Sequence, residues 1–500
     1  MLSPHYRHLL STLCVLLCGS VAIQATPLLE LDPRADISST LGPKLSPGAQ
    51  IILKGSPEFV NQTIRWTTLG APTYQAAVEV VTEQDVVETM NYAIHNNISF
   101  LASSPRHGYS LTLASIENGI EIDLKNFNQI HVDAQANQLT TGGAVIFEDV
   151  IDALYAAGKE MPTGSCSCVG LIGATLGGGV GRLQGLHGLI LDSLLSVRIA
   201  LADGCVVTAS ETENADLFWG IRGAGHNFGI ILSATYKIYD QVPQGKHFNA
   251  DFIFAANKTE SMYTMLKGLA ANQPPELSAL VLFNWDKDFN QTVITVNAVY
   301  AGPEDAGRAA VQPFVDQGPL VQNFTVVPWN KLIQTAGFGF TGPAICEKGN
   351  RRSQWAAGVI NIDPPTYVSV LKQFEEMITE YPAAIDSSVD FQLLPNQAAV
   401  AVPDDTTAYP YRDFIAHALL EFKYTTSALD DAITGYAQRM RATMAATAGT
   451  GGLEVYSSYS HGDETPQQLY SARKLPRLEA LKKQYDPLGV FSHYHPIPLS

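Results

Sequence analysis

Charge is scarce in this 500-residue chain: only 16% of its residues are Asp, Glu, Lys or Arg. What charge there is runs one way, with 48 acidic against 31 basic residues and a formal net charge of −17. A chain so short of cations is a poor match for nucleic acid or an anionic membrane, so neither is expected as a partner. Long apolar runs are missing as well. The stretch Leu9–Cys18 falls short of the roughly 20 residues that cross a bilayer, and nothing later is long enough, so no membrane span is expected. Cysteine is sparse. Six are present, and with Cys14 and Cys18 inside the leading apolar run only Cys166, Cys168, Cys205 and Cys346 remain. That is too few for a disulfide scaffold, and no CxxC or His-x-x-x-His spacing points to a metal.

What is there describes a large globular protein. Hydrophobic residues make up 46%, enough for sizeable cores, and the length allows two or three domains. The N-terminus reads as a secretory signal over residues 1–25. Arg7 precedes the apolar run, and small residues follow it, with cleavage expected after Ala22 or Ala25. Five Asn-x-Ser/Thr sequons, at Asn61, Asn97, Asn257, Asn290 and Asn323, agree with a glycoprotein that is secreted or held in the secretory-pathway lumen.

The densest glycine segment, Gly164–Gly181, holds seven glycines in eighteen residues. Val169, Leu171, Ile172, Leu176 and Val180 are interleaved with them, whereas a flexible linker would be polar. Apolar residues alternating with glycine suggest a buried loop whose backbone approaches a ligand closely. The ligand is not signalled by the dinucleotide fingerprint, because Gln184 stands where its third glycine belongs, nor by a phosphate loop, because no Gly-Lys-Ser/Thr follows.

Taken in order, residues 26–70 are punctuated by Pro and Gly and read as an irregular lead. A strand at 76–81 is followed by a helix capped by Thr82, with Asp85 at its third position and Val86, Met90 and Ile94 at helical spacing. A second strand, 98–102, leads into the loop Ser103–Ser110, the usual place for functional residues after a β-α-β start. Strands are expected at 120–124, 130–133 and 138–142, and a helix at 146–157. A hairpin at 196–209 turns on Asp203-Gly204. Residues 216–229 read as a second glycine-rich loop, before a strand at 230–238. The character changes near Gln241–Gly245. We divide the chain into a lead (26–70), a first domain (71–245), a second domain (246–455) of mixed helices and strands, and a C-terminal segment (456–500).

Several motifs recur in a telling order: His107-Gly108; Gly164-x-Cys166-x-x-Val169-Gly170; Leu176-Gly177-Gly178-Gly179-x-Gly181; Gly188-Leu189 with Asp192; Ala202-Asp203-Gly204; Asp216-Leu217-Phe218-Trp219 running to Gly225-His226-Asn227-Phe228-Gly229; and Tyr485-Asp486-Pro487 with Phe491. Together they resemble the FAD-linked oxidases of the vanillyl-alcohol oxidase superfamily, in particular fungal members of the berberine-bridge-enzyme-like group. The resemblance implies an α+β fold. A two-part FAD-binding domain of the PCMH/VAO type would carry an inserted α/β substrate domain with an antiparallel sheet.

The resemblance also implies roles. His107 matches the histidine that bonds the flavin 8α carbon, and Cys166 the cysteine that bonds flavin C6 in doubly linked members, with Cys168 as the competing thiol. Gly108, Gly170, Gly173, Gly177, Gly178, Gly179, Gly225 and Gly229 would give backbone contacts to FAD. Pro105-Arg106 stands where the common pattern is Gly-Gly, and Arg106 is a candidate partner for phosphate. With Cys166 on the flavin, three thiols remain and at most one pair can form, with Cys205–Cys346 as the candidate. Tyr485-Asp486-Pro487 would return the C-terminus to the flavin ring. The glutamate that plant-type relatives use as base is missing near Ala401. Tyr411, Tyr456 and Tyr459 are the candidates instead, by analogy with sugar-oxidising relatives.

The expected reaction takes a hydride from a small-molecule substrate to the flavin, and oxygen reoxidises the flavin to give hydrogen peroxide. The substrate would be a natural-product alcohol or ring carbon. An extracellular oligosaccharide oxidase, and a flavin-binding protein without catalysis, are the alternatives.

Overall fold

A computed structural model describes residues 33–499, so the leader expected at 1–25 lies outside the described residues. Four sheets organise the chain. The first has the order Gln50–Leu53, Tyr74–Glu79, Gly119–Asp123, Phe100–Ser103; its first pair is antiparallel and the others parallel. The strands expected at 76–81 and 98–102 are therefore present with their ends shifted by two residues or fewer at most positions. The connecting helix, Glu83–His95, starts at Thr82. The Thr82 hydroxyl accepts from the Asp85 N–H and the Asp85 carboxylate accepts from the Thr82 N–H, a reciprocal cap.

The second sheet is antiparallel throughout, in the order Ile130–Asp133, Gln138–Gly142, Ile230–Lys237, Leu194–Ala200, Val206–Ser210. The Asp203-Gly204 turn forms as expected, with Gly204 at φ 82°. A two-stranded ribbon pairs Lys159–Glu160 with Tyr239–Asp240.

The largest sheet has seven antiparallel strands: Val321–Pro328, Lys246–Ala255, Gln291–Tyr300, Leu277–Asp286, Ser388–Leu393, Ala416–Tyr424, Arg351–Val359. Its side chains sort by the strand period of two. Phe248, Phe252, Phe254, Phe283, Phe391, Leu420 and Trp355 join one buried cluster with Phe374 and Met377 of the helix Pro364–Glu380 and Met440 of the helix Asp430–Ala445. Each such side chain contributes about 1.5–3 kcal/mol by leaving water. The alternate residues, Leu280, Asp390, Gln392, Leu419 and Glu421, line a cavity on the sheet's other side. This sheet is its roof.

Four expectations need correction. The lead is not wholly irregular: it contains helices Pro33–Thr40 and Phe59–Thr63, and the strand Gln50–Leu53, which gains order by pairing with Tyr74–Glu79. The glycine segment encloses a helix, Leu171–Gly177, because Leu171, Ile172 and Leu176 bury their side chains and outweigh the glycine cost. Residues 216–229 are mainly a helix, Ala215–Ala224, broken at Arg222 and Gly223, then a 3-10 turn at Gly225–Asn227. Leu217, Phe218, Trp219 and Ile221 bury there, which a count of glycines does not register. The disulfide is Cys168–Cys346, not Cys205–Cys346; Cys205 is an exposed free thiol, too far out on its hairpin to take part.

Candidate active site

His107 stands in the loop that leaves the strand Phe100–Ser103. Arg106, just before it, has φ 61°, a value glycine adopts freely and other residues rarely. Its guanidinium holds it there: Nε donates to Glu121 Oε1 at 2.8 Å, Nη2 pairs with Asp123 Oδ2 at 3.0 Å, and Nη1 donates to the Ser104 carbonyl at 2.9 Å. Arg106 thus adopts a backbone shape suited to the glycine of the common pattern. Its charge is turned onto the strand Gly119–Asp123 rather than toward a phosphate. The backbone N–H groups of Arg106, His107 and Gly108 bond no carbonyl or side chain among the described residues, and all three residues line the cavity.

Across from this loop lies Cys166, whose Sγ is 3.8 Å from His107 Nε2 and 3.6 Å from Cys168 Sγ. Cys168 is consumed in its disulfide with Cys346, so Cys166 is the free thiol beside the histidine. Burial pushes the Cys166 thiol up to about 12. Burial, helped by the cations Arg352, Arg65 and Lys348, holds the His107 imidazole down at about 3, so it is neutral. Trp66 stacks on that imidazole with ring centres 4.6 Å apart and planes 19° from parallel.

The cavity has a volume of about 380 Å³. Gly108, Gly170, Gly173, Gly179 and Gly229 line it. At Gly173 a side chain would meet nothing within 4 Å, so that space is open for a bound group. Gly177, Gly178 and Gly225 lie behind the wall, against Ser457 and Ser458, Tyr409 and Leu176 respectively. Val490, Phe491, His493 and Tyr494 bring the C-terminus into the lining. Tyr485 and Asp486 do not reach it. Asp486 is buried in an ion pair with Lys482 and accepts from the Val490 and Phe491 N–H groups, so it anchors the segment that does.

The three tyrosines part company. Tyr411 is outside the cavity, its hydroxyl donating to the Gln468 carbonyl at 2.7 Å. Tyr456 and Tyr459 are in the wall, with ring centres 4.9 Å apart. The Tyr456 hydroxyl accepts from the Gly179 N–H at 2.9 Å, and the Tyr459 hydroxyl donates to Gln392 Oε1 at 2.9 Å. Burial raises the pKa of both phenols.

Sequence reasoning passed over the roof. There Gln392 Nε2 donates to Asp390 Oδ2 at 2.6 Å, while Asp390 Oδ1 is buried with no hydrogen-bond partner among the described residues. Burial, reinforced by nearby Glu421 and offset by Gln392 and Arg182, lifts the Asp390 carboxyl to about 7. The signal was the alternation Val389-Asp390-Phe391-Gln392-Leu393, a strand with one polar face.

Free loop N–H groups, an open glycine backbone and a histidine–cysteine pair at one end suit a flavin dinucleotide. Comparison with known proteins agrees. Residues 74–210 match the FAD binding domain model, and residues 455–498 match the model for berberine and berberine-like proteins. The FAD-linked oxidoreductase azaL of Aspergillus niger is 40% identical over 454 residues, spanning 89% of this chain and 95% of that protein. The chain belongs to the berberine-bridge-enzyme-like FAD-linked oxidoreductases. FAD-linked oxidoreductase OXR1 of Pyricularia oryzae is likewise 40% identical, over 90% of this chain and 89% of its own. Among solved structures, the berberine-bridge-enzyme-like protein 1 of Physcomitrella patens superposes with a TM-score of 0.83 at 21% identity, over 93% of this chain and 99% of that one. Glucooligosaccharide oxidase from Acremonium strictum, described with a 6-S-cysteinyl, 8α-N1-histidyl FAD, superposes with a TM-score of 0.81 at 20% identity, over 92% and 99%. These likenesses establish the FAD-binding α+β fold with its antiparallel sheets, the class expected from the sequence. No helix among the described residues is long and apolar enough to cross a membrane.

Proposed function

We propose that this oxidoreductase is a secretory-pathway oxidase. It takes a hydride from a small natural-product alcohol or ring carbon and passes the electrons to oxygen, releasing hydrogen peroxide. The observation that carries this reading is the Asp390 carboxylate, with its free Oδ1, on the roof of the cavity that His107 and Cys166 line from below. Oxidising an alcohol needs an acceptor for the hydroxyl proton as the hydride leaves, and a carboxyl near pKa 7 is poised for that at neutral pH. Gln392 holds Oδ2 and Tyr459 holds Gln392, so Oδ1 is the oxygen presented to a substrate. The bound flavin supplies the hydride acceptor. His107 and Cys166 are its attachment points in this reading, supported by their 3.8 Å approach. Arg65 Nη2, donating to the Gly108 carbonyl at 2.9 Å, steadies the loop.

Leu280, Phe340, Ile345 and Leu419 give the cavity an apolar lining, which favours a largely apolar substrate. Gln354, Gln392, Asp390 and Glu421 form a polar row that suits hydroxyl groups, which keeps an oligosaccharide as the second reading. Chitooligosaccharide oxidase and a xylooligosaccharide oxidase are among the proteins of like fold. A secretory location is supported by the exposure of all five sequon asparagines and by the Cys168–Cys346 disulfide. The test is peroxide release by the purified holoenzyme with alcohols, oligosaccharides and fungal metabolite extract. Release with oligosaccharides alone selects the second reading, and no release with any of them refutes the oxidase.

A further inference from the structure

We propose that Trp66 is the positioning residue for covalent flavin attachment, holding the His107 imidazole face-on in a cationic surround while tying together the two segments that carry the attachment points. The inference rests on the reading that FAD is bonded to His107, and goes beyond it by naming what makes the bond form. Trp66 is 4% exposed and reaches three ways. Its ring stacks on His107. Its backbone N–H donates to the carbonyl of Arg106, the residue just before His107, at 3.1 Å. Its indole N–H donates to the Ile345 carbonyl at 2.7 Å, and the next residue, Cys346, bonds the Cys168 that lies beside Cys166. The Arg352 guanidinium lies 4.5 Å from the indole ring centre.

In the step concerned, one C–H bond of the flavin 8-methyl group and the imidazole N–H bond break, and one N–C bond forms. The two hydrogens and the electron pair released leave on oxygen as hydrogen peroxide. The imidazole attacks only when neutral, and faster when its ring plane is fixed against rotation. Stacking on Trp66 fixes the plane. Arg352, Arg65 and Lys348 are the cations acting on His107, Cys166 is the thiol beside it, and Glu421 and Glu347 are the acids that offset Arg352.

The experiment uses full-length enzyme with Trp66→Phe, Trp66→Leu, Arg352→Gln and His107→Ala. For each, total FAD per chain is compared with the fraction that stays on acid-precipitated protein and on the His107 peptide. Wild type should be attached in full, and Trp66→Phe, which keeps a stacked ring but loses the indole tie to the Ile345 carbonyl, should attach more slowly than wild type and faster than Trp66→Leu. Trp66→Leu should bind FAD but attach it to His107 at least tenfold more slowly. Arg352→Gln removes one of the cations that lower the His107 pKa, so as the pH is lowered its attachment should begin to slow at a higher pH than in wild type. If wild type carries no flavin on His107, the linkage reading itself fails. If wild type is attached and Trp66→Leu attaches at the same rate, the role given to Trp66 is wrong. Should Trp66→Leu not fold, Trp66→Met, which keeps bulk without a flat ring, takes its place, and attachment at the wild-type rate overturns the proposal.

Discussion

Replacing Asp390 with asparagine makes the roof carboxyl's titration measurable without knowing the substrate. The residue is 7% exposed, and its pKa rises from 3.8 to about 7. At ~1.36 kcal/mol per unit, ionising it in the fold costs about 4 kcal/mol more than ionising it in the unfolded chain. A carboxyl with a raised pKa keeps its proton longer in the folded state. Its contribution is therefore complete below about pH 4 and lost as the pH climbs through 7. An asparagine side chain has nearly the same shape, can still accept from Gln392, and carries no charge at any pH. Melting curves of wild-type and Asp390→Asn holoenzyme should run close together near pH 4 and separate progressively to pH 8, with the variant the more stable. For a chain this long, roughly 1 °C of Tm corresponds to each kcal/mol, so the gap should open by about 4 °C. Curves that stay parallel across the range would show that Asp390 does not titrate there, and the proton-acceptor reading would fall with it.

With a substrate in hand, Asp390→Asn should slow anaerobic flavin reduction by about 10²–10⁴-fold. Tyr459→Phe, which only loosens the hold on Gln392, should cost far less; the reverse order in stopped-flow absorbance would make Tyr459 the base. Cys346→Ser opens a loop with a sequence separation of 178, worth about 5 kcal/mol by loop entropy, so it should lower the urea midpoint. A non-reducing peptide map of wild type should recover Cys168 joined to Cys346 and Cys205 as a free thiol. Secreted enzyme should begin near Ile23 or Thr26 and lose mass on enzymatic deglycosylation; an intact Met1 with no mass change contradicts the secretory reading.

Much of the first half of the chain was legible in its residues. Thr82 and Asp85 announced a helix start that forms with both reciprocal bonds, and Asp203-Gly204 announced its hairpin, because caps and turns are set by a few neighbouring atoms. His107 and Cys166, 59 positions apart, were singled out through their motifs, and the fold brings them within 3.8 Å. What escaped depends on contacts between distant segments. Cys168 finds Cys346 across 178 positions, and no local pattern encodes that choice over Cys205. Arg106 looked free for a phosphate because Glu121 and Asp123 become its neighbours only when parallel strands align. Asp390 was hidden in a short strand where it alternates with the apolar, deeply buried Val389, Phe391 and Leu393, and Trp66 in a lead segment that read as irregular.

The seven-stranded roof separates two kinds of selective pressure. Every second residue on its strands packs beneath the helices Pro364–Glu380 and Asp430–Ala445, where a change of shape is felt by the whole core. The residues between them, Leu280, Asp390, Gln392, Leu419 and Glu421 among them, line the cavity and stand outside that cluster. A lineage can therefore rewrite one face of the sheet, position by position, while the other keeps the protein folded. Enzymes drifting toward new substrates from this scaffold should differ mostly at alternate positions along the same strands, and libraries for redirecting this oxidoreductase can be confined to them.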